Sequence, residues 1–495
     1  MGIMSKIIRT YAAPLLLCAG VVFSQPTWDE GESFEAFRDE WNGWAEALPE
    51  DESVFERLTG LLERMRDERY DYVNPETGAH AMDVLSLSRP WNEYWEFREE
   101  VHGAYATEFD ELTRIAQRPF IAAPIPTLED DPELDEDLPY LPSFWFEQHD
   151  LNTNSPIRTA VRYLISDAVY HAFEGRQDMA IERFEAASNM CRFTLELPTE
   201  LGYLTEIAVR AALREAIVLS VQYDADLFND EQLARLQNLL ILDLATNFDN
   251  VWRFEQRVTR ADWQLQFESL DYARTNRELR DFYLEQAAVY KSFGSFYDYL
   301  GRFSSPDPDA GIPLAKLRDQ ISVQSRLVEA MLSDLAASPV TQREPALSRA
   351  MRTYLSGRDV NRYLPVFVEV ALWRLQLGLY HSYNYDNANQ VAMLSIYRHR
   401  ACHGEWPLSL NAIDPGVLPI PAIDYYSGEP LRYTLINGEP RLWALGADRD
   451  DDGGRPVMRE ADQPQSAKKW YALAEWNALS DEQRAEHDGD IRILN

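Results

Sequence analysis

A chain of 495 residues with 45% apolar and 12% aromatic content has ample material for a core, and its length allows about two to four domains. Its 82 acidic residues outnumber 47 basic ones, for a net charge of −35. Such a field repels nucleic acid and anionic lipid, which excludes both as partners, and it attracts cations.

The N-terminus has the layout of an export signal. Lys6 and Arg9 supply positive charge, Tyr11 to Phe23 is apolar, and Val22 and Ser24 are small residues placed for cleavage before Gln25. The apolar stretch is short for a membrane span, and uncleaved retention as an anchor is the alternative. Residues 1–24 are therefore read as a signal peptide, and the protein as exported, periplasmic or of the cell envelope. No later segment reads as a span, because the most apolar run, Pro365 to Tyr380, contains Glu369 and Arg374. Loss of Cys18 with the signal leaves Cys191 and Cys402, too few for a disulfide framework.

Residues 25–122 are acidic and helical in pattern, with Val54, Leu58, Leu61, Leu62 and Met65 at helical spacing. Residues 123–156 carry Pro124, Pro126, Pro132, Pro139, Pro142 and two acidic runs, which predicts an extended surface linker. Residues 157–385 read as a helical body. Helices are predicted over Arg158–Glu174, Met179–Phe193, Thr205–Tyr223, Asp230–Leu244, Arg277–Gly301 and Pro313–Ala337, and a last one over Arg362–His403 runs on into the next unit. Ala168, Gly175, Ala180, Phe184 and Ala187 fit a tetratricopeptide-like hairpin. Arg214, where the next repeat needs a small residue, breaks the period, so close packing of two helices is the preferred reading.

Residues 386–495 change character. Gly404 is placed to stop the long helix, and a short helix is predicted over Leu408 to Ile413. Strands Leu431–Ile436 and Arg441–Leu445 flank Asn437-Gly438, a favoured hairpin turn. The sequence from Gly489 to Leu494 predicts a final strand, and a helical insertion is expected at about 459–487, started by the capping pattern Ser480 to Gln483.

Directly after the second strand comes Asp448-Arg449-Asp450-Asp451-Asp452-Gly453-Gly454. Asp448, Asp450 and Asp452 alternate as hard-cation ligands do, Gly453 permits a sharp turn, and the carbonyl of Gly454 fits the next ligand position. An EF-hand would need glutamate where Arg459 stands; Glu460 is one place late. A further carboxylate must complete the shell, and Asp451 is the nearest. An empty acidic turn is the alternative, but close carboxylates without a cation repel one another, which favours bound Ca²⁺.

Other candidate chemistry is thin. His399 and His403 lie four apart with Cys402 beside them, a spacing that can present imidazoles to Zn²⁺. No third ligand is evident, and histidines also suit a helix C-terminus. Ser466 to Lys469 matches S-x-x-K without its companion motifs. No phosphate-binding loop or nucleophile elbow is present. Glu93 with Trp91 and Trp95, or Asp262 with Trp263, could serve a helical glycosidase, but aromatics at such spacings are more often core.

The stretch from Tyr397 to Gly454 resembles the C-terminal globular part of type II secretion major pseudopilins. The resemblance is carried by His403-Gly404 with Pro407, Ser409 and Leu410, by Pro421 to Tyr433 with Tyr425 where proline is usual, and by Leu445-Gly446-Ala447-Asp448. It implies a long helix, a short sheet and a structural Ca²⁺ loop, with Asp490, before Ile491, as the completing ligand. A pseudopilin starts with a prepilin-peptidase site and a polymerising helix, whereas this chain starts with a conventional signal. The whole arrangement resembles large exported proteins of planctomycete-type bacteria. Similarity of fold does not carry function, so pseudopilus assembly is not implied.

Together these features predict a mainly α chain: an irregular antiparallel helical-hairpin body with a small C-terminal α+β pseudopilin-like module. The function that follows is non-enzymatic binding or scaffolding outside the cytoplasm, with Ca²⁺ as a structural ion and an extracytoplasmic protein or glycan as partner. A glycan-active or other hydrolase with its site in the helical body, and a secretion-system accessory, are the alternatives.

Overall fold

The structure, a computed structural model, describes residues 33–48, 54–67, 95–126, 142–241, 386–424, 428–445 and 491–494, with scattered helical positions between 250 and 353. The signal, the helices predicted at Arg277–Gly301 and Pro313–Ala337, and the insertion at 459–487 lie outside this set, apart from isolated helical positions in the second of those helices.

Helices dominate. They are α1 (Phe34–Ala47), α2 (Phe55–Asp67), α3 (Trp95–Ala104), α4 (Ala106–Ala116), α5 (Pro142–Phe173), α6 (Gln177–Cys191), α7 (Glu200–Tyr223), α8 (Asp230–Leu240) and α9 (386–403). Their ends follow local chemistry. Ser33 and Thr199 accept a backbone N–H at the starts of α1 and α7, and Asn229 with Gln232 forms a reciprocal capping box for α8. Gly175 and Gly404 take φ of +75° after α5 and α9, the left-handed stop that glycine permits.

Helices α5 and α6 form the most closely packed pair. Ala168, Ala180, Phe184 and Ala187 are fully buried there, so small residues let the two backbones approach. A continuous apolar core then runs from α2 through α8 to α9 and on to Ile413, Ala422, Leu431, Leu442 and Ala444. Each large side chain fully buried in it contributes about 1.5–3 kcal/mol. The C-terminal module thus shares the core of the body.

A polar contact reinforces this junction. The buried Gln237 amide of α8 donates to the Val391 and Val417 carbonyls at 3.1 Å and to Ser395 Oγ at 2.7 Å. Arg398 of α9 donates to Asp230 and to Oε1 of the Gln237 side chain.

The sheet has three antiparallel strands in the order β1 (Arg432–Ile436), β2 (Glu439–Ala444), β3 (Ile491–Leu494). Asn437 and Gly438 both have positive φ, the geometry of a two-residue hairpin turn matched to strand twist. Ile491 pairs with Ala444, so the final strand closes onto the hairpin.

The predicted linker differs in two ways. Residues 142–156 are the first part of α5, which runs through Pro156 without a break. Proline here removes one helix hydrogen bond, and burial of Ile157, Ala160 and Val161 just beyond it outweighs that loss. At the other end, Ile121, Ala122, Ala123 and Ile125 are buried. Ile121 and Ala123 belong to the main core. Ala122 and Ile125 join a second cluster with Phe37, Trp41, Trp145 and Phe146. A proline-rich composition marks missing donors, and here the groups that remain find partners inside.

Those partners are specific. Glu196 Oε1 accepts from Ile121 N at 2.9 Å and Oε2 from Ala122 N at 2.8 Å. Trp41 donates to the Ala123 carbonyl at 2.9 Å, and Asn42 exchanges two hydrogen bonds with Ile125. His149 donates to the Pro124 carbonyl, and Phe55 N to that of Ile121. Ala122 is held at φ +54°, a conformation unfavourable for a side-chain-bearing residue.

Two outcomes are expected. A Cβ on Gly202 would lie 2.2 Å from the Thr194 carbonyl, so Gly202→Ala should cost about 1–3 kcal/mol in urea melts. Burial pushes Glu196 up to about 8, against its backbone donors and Arg192. The folded state therefore holds this proton more tightly than the unfolded one. Stability should fall as pH rises toward about 8 and level off above it, and Glu196→Gln should flatten that slope.

Candidate functional site

Among the described residues, the densest constellation of reactive side chains lies inside the body, where α3, α4, α5 and α6 meet. Arg98 and His102 share one face of α3, one turn apart. Ser166 and Asp167 are consecutive on α5, Asp110 and Thr113 come from α4, and Arg183 from α6. Arg98, His102, Ser166, Asp167 and Arg183 are all buried.

The hydrogen bonds form one ordered chain. Arg98 donates to the Ser166 carbonyl at 2.7 Å and to Ser166 Oγ at 3.1 Å. Ser166 Oγ lies 3.4 Å from His102 Nε2, and His102 Nδ1 lies 2.8 Å from Asp167 Oδ1. A carboxylate only accepts, so Nδ1 carries the proton and Nε2 is left to accept from the serine hydroxyl. Arg183 donates to Asp167 Oδ2 at 2.8 Å, to Thr113 at 2.6 Å and to Asp110. On the far side, His171 takes a hydrogen bond from Arg176 on Nδ1 and places Nε2 at 3.4 Å from Asp167.

Electrostatics agree with this assignment. Burial is the largest influence on His102 and holds it below its ordinary 6.5 despite Asp167, so the ring is neutral. The ring stacks between Phe109 and Tyr170, at 5.1 and 4.6 Å, with both planes within 13°. Burial alone would raise Asp167, but hydrogen bonds from His102 and His171 outweigh it and hold the carboxyl well below the carboxylate range. Burial lowers Arg98 to about 10, which leaves it charged at neutral pH.

Serine, histidine and aspartate in this order have the connectivity of a hydrolytic triad. The surroundings remove that chemistry. Ser166 is 0% exposed, and its hydroxyl already accepts from Arg98, so no acyl group can reach Oγ. The network is a structural core of polar groups that fixes four helices in register.

Sequence reasoning did not single out these residues, because 65 positions separate His102 from Asp167 and no motif links them. One signal was available. Ser166-Asp167 interrupts the apolar stripe of Val161, Leu164, Ile165 and Ala168, and polar residues at a buried helical phase need partners.

The predicted metal ligands Asp448, Asp450, Asp452, Gly454 and Asp490 lie outside the described residues. Their flanks are described. Asp424 is fully buried and accepts from the N–H of Leu445, where β2 gives way to the aspartate loop. Asp490 immediately precedes Ile491, the partner of Ala444. Among the described residues, no group of three or more His, Cys, Asp or Glu is disposed to hold a metal. Trp91, Glu93, Asp262 and Trp263 also lie outside the described set. Trp41, Trp44, Trp145 and Trp443 are buried. His399 and His403 stack face to face with centroids 4.2 Å apart. Cys191 is buried and Cys402 exposed, and neither forms a disulfide. No helix among the described residues is long and apolar enough to cross a membrane.

Comparison with protein-family models, curated proteins and solved structures gives no match.

Asp167→Asn should cost about 1–3 kcal/mol, because it neutralises the buried partner of Arg183 and leaves only the more exposed Asp110 as its carboxylate. Denaturant melts will measure this. The buried neutral His102 and His149, the latter lowered to about 4, bind protons only on unfolding, so stability should decline as pH falls below 6.5. A second decline below 3.8 reflects Asp167.

Proposed function

We propose that the protein is an exported, non-enzymatic binding or scaffolding protein, whose helical body carries a pseudopilin-like C-terminal module tied together by a structural Ca²⁺ in the aspartate loop. Its partner would be an extracytoplasmic protein or a glycan.

The observation that carries the calcium reading is the sheet register. Ile491 pairs with Ala444, so the residue after Asp490 lies beside the end of the strand that leads into Asp448. Two acidic segments far apart in sequence thus start from one end of one sheet. Such like charges need a counter-ion, and an oxygen-rich loop suits Ca²⁺. The buried Asp424 accepts from the N–H of Leu445, three residues before Asp448.

The non-enzymatic reading draws support from the body. Its triad-like network is sealed, and the tryptophans described there, Trp41, Trp44 and Trp145, are core residues and not an exposed sugar platform.

Thermal melting in excess Ca²⁺ and in chelator tests the calcium reading. Binding to the folded state alone should raise stability by about 2.7 kcal/mol at a hundredfold excess over Kd. Asp448→Ala should abolish most of that gain. Equal melting temperatures in Ca²⁺ and chelator, with the variant equally indifferent, would sink the metal site. Recovery of the protein in the cytoplasmic fraction of its host would remove the export reading.

A further inference from the structure

At the C-terminal end of α9, His399 and His403 occupy one face, one turn apart, where the helix leaves the core. Their rings are nearly parallel, with centroids 4.2 Å apart and planes 21° apart. His403 is exposed and His399 partly so. His403 Nδ1 donates to the His399 carbonyl at 2.9 Å, which fixes its tautomer and leaves Nε2 with a lone pair.

We propose that His399 and His403 form an open two-imidazole site for a borderline transition-metal dication such as Zn²⁺ or Cu²⁺. Imidazole suits these ions, and hard cations such as Ca²⁺ and Mg²⁺ prefer oxygen ligands. Metal–nitrogen bonds of about 2.0–2.1 Å require donor nitrogens roughly 3.4 Å apart for tetrahedral geometry. Stacked rings aim their lone pairs side by side, so both side chains must rotate about χ1 and χ2 to converge on one ion, which the one-turn spacing on α9 permits without backbone change.

Three features of the surroundings favour a cation here. The last carbonyls of α9 present the negative end of the helix dipole, and Gly404 terminates the helix at this point. The neighbouring positive charges are engaged elsewhere: Arg398 bonds Asp230, and Arg400 sits over the Trp406 ring at 4.5 Å. Burial, and then the neighbouring His403, lowers His399 below its ordinary 6.5 against the pull of Glu405, which favours the metal-binding form of that ring.

The site supplies two ligands, since among the described residues no third His, Cys, Asp or Glu converges with them. The remaining coordination positions are open to water or to an external donor. A metal held across one turn would also pin the end of α9, where the body gives way to the C-terminal module.

The experiment is calorimetric titration of Zn²⁺ and Cu²⁺ into the full, tag-free chain after chelator treatment, with Ca²⁺ in excess throughout. Excess Ca²⁺ keeps any oxygen-ligand site in the aspartate loop occupied. The expected result is 1:1 binding, tighter for Cu²⁺ than for Zn²⁺. His399→Ala and His403→Ala should each weaken it by at least about tenfold, since even loss of a residue that supports a ligand costs that much. Cys402→Ser should leave affinity unchanged, and the Cu²⁺ form should show nitrogen hyperfine coupling by electron paramagnetic resonance. Absence of binding, binding displaced by Ca²⁺, loss of binding in Cys402→Ser, or unchanged affinity in either histidine variant overturns the proposal. Circular dichroism of the variants, whose changes are at the surface, verifies that each is folded.

Discussion

The fold depends on one buried segment that has no regular structure of its own. Residues 121–125 pass between the two apolar clusters and cannot use helix or sheet bonding to satisfy their backbone. Buried unpaired N–H and C=O groups are costly, so a chain can take this path only if side chains supply the partners. Glu196 does so with both oxygens, and Trp41, Asn42 and His149 complete the set. These four residues come from three separate elements. The segment is therefore the place where α1, α5 and the turn after α6 are fixed relative to one another.

The polar network around Asp167 works on the same principle at a larger scale. Apolar packing tolerates small slides of one helix along another, whereas a hydrogen-bonded chain does not. Arg98, His102, Ser166, Asp167 and Arg183 lock α3, α5 and α6 into one register, and Asp110 and Thr113 add α4. A serine, histidine and aspartate in sequence along such a chain resemble catalytic machinery only until solvent access is considered. What separates a buried scaffold from a working site here is the full burial of Ser166.

Local features were legible in the sequence, and long-range ones were not. Gly175, Gly404, Asn437-Gly438 and the amphipathic stretches announced their turns and helices because those signals depend on neighbours within a few residues. The start of α5 at Pro142 was hidden. Proline and acidic residues read as a linker, and only tertiary burial of Trp145, Phe146 and Ile157 shows why the helix persists. The buried path of residues 121–125 was equally hidden, since its partner Glu196 lies 75 positions away from Ile121. The His399–His403 spacing was visible, but their stacking was not. The predicted calcium ligands remain a proposal that rests on the aspartate spacing and on the strand pairing beside it.

The junction between α8 and α9 bears on how the chain reaches its fold. Gln237 and Ser395 are 158 positions apart, yet they share a hydrogen bond inside the core. Leu233, Leu236 and Leu240 on the same helix are buried in the cluster that α9 completes. During synthesis, α8 therefore emerges long before the helix that covers it. The contact of α8 with α6 can form early, but the part of the α8 apolar face that α9 covers is completed only later. A protein wired in this way cannot finish its core from the N-terminus forward.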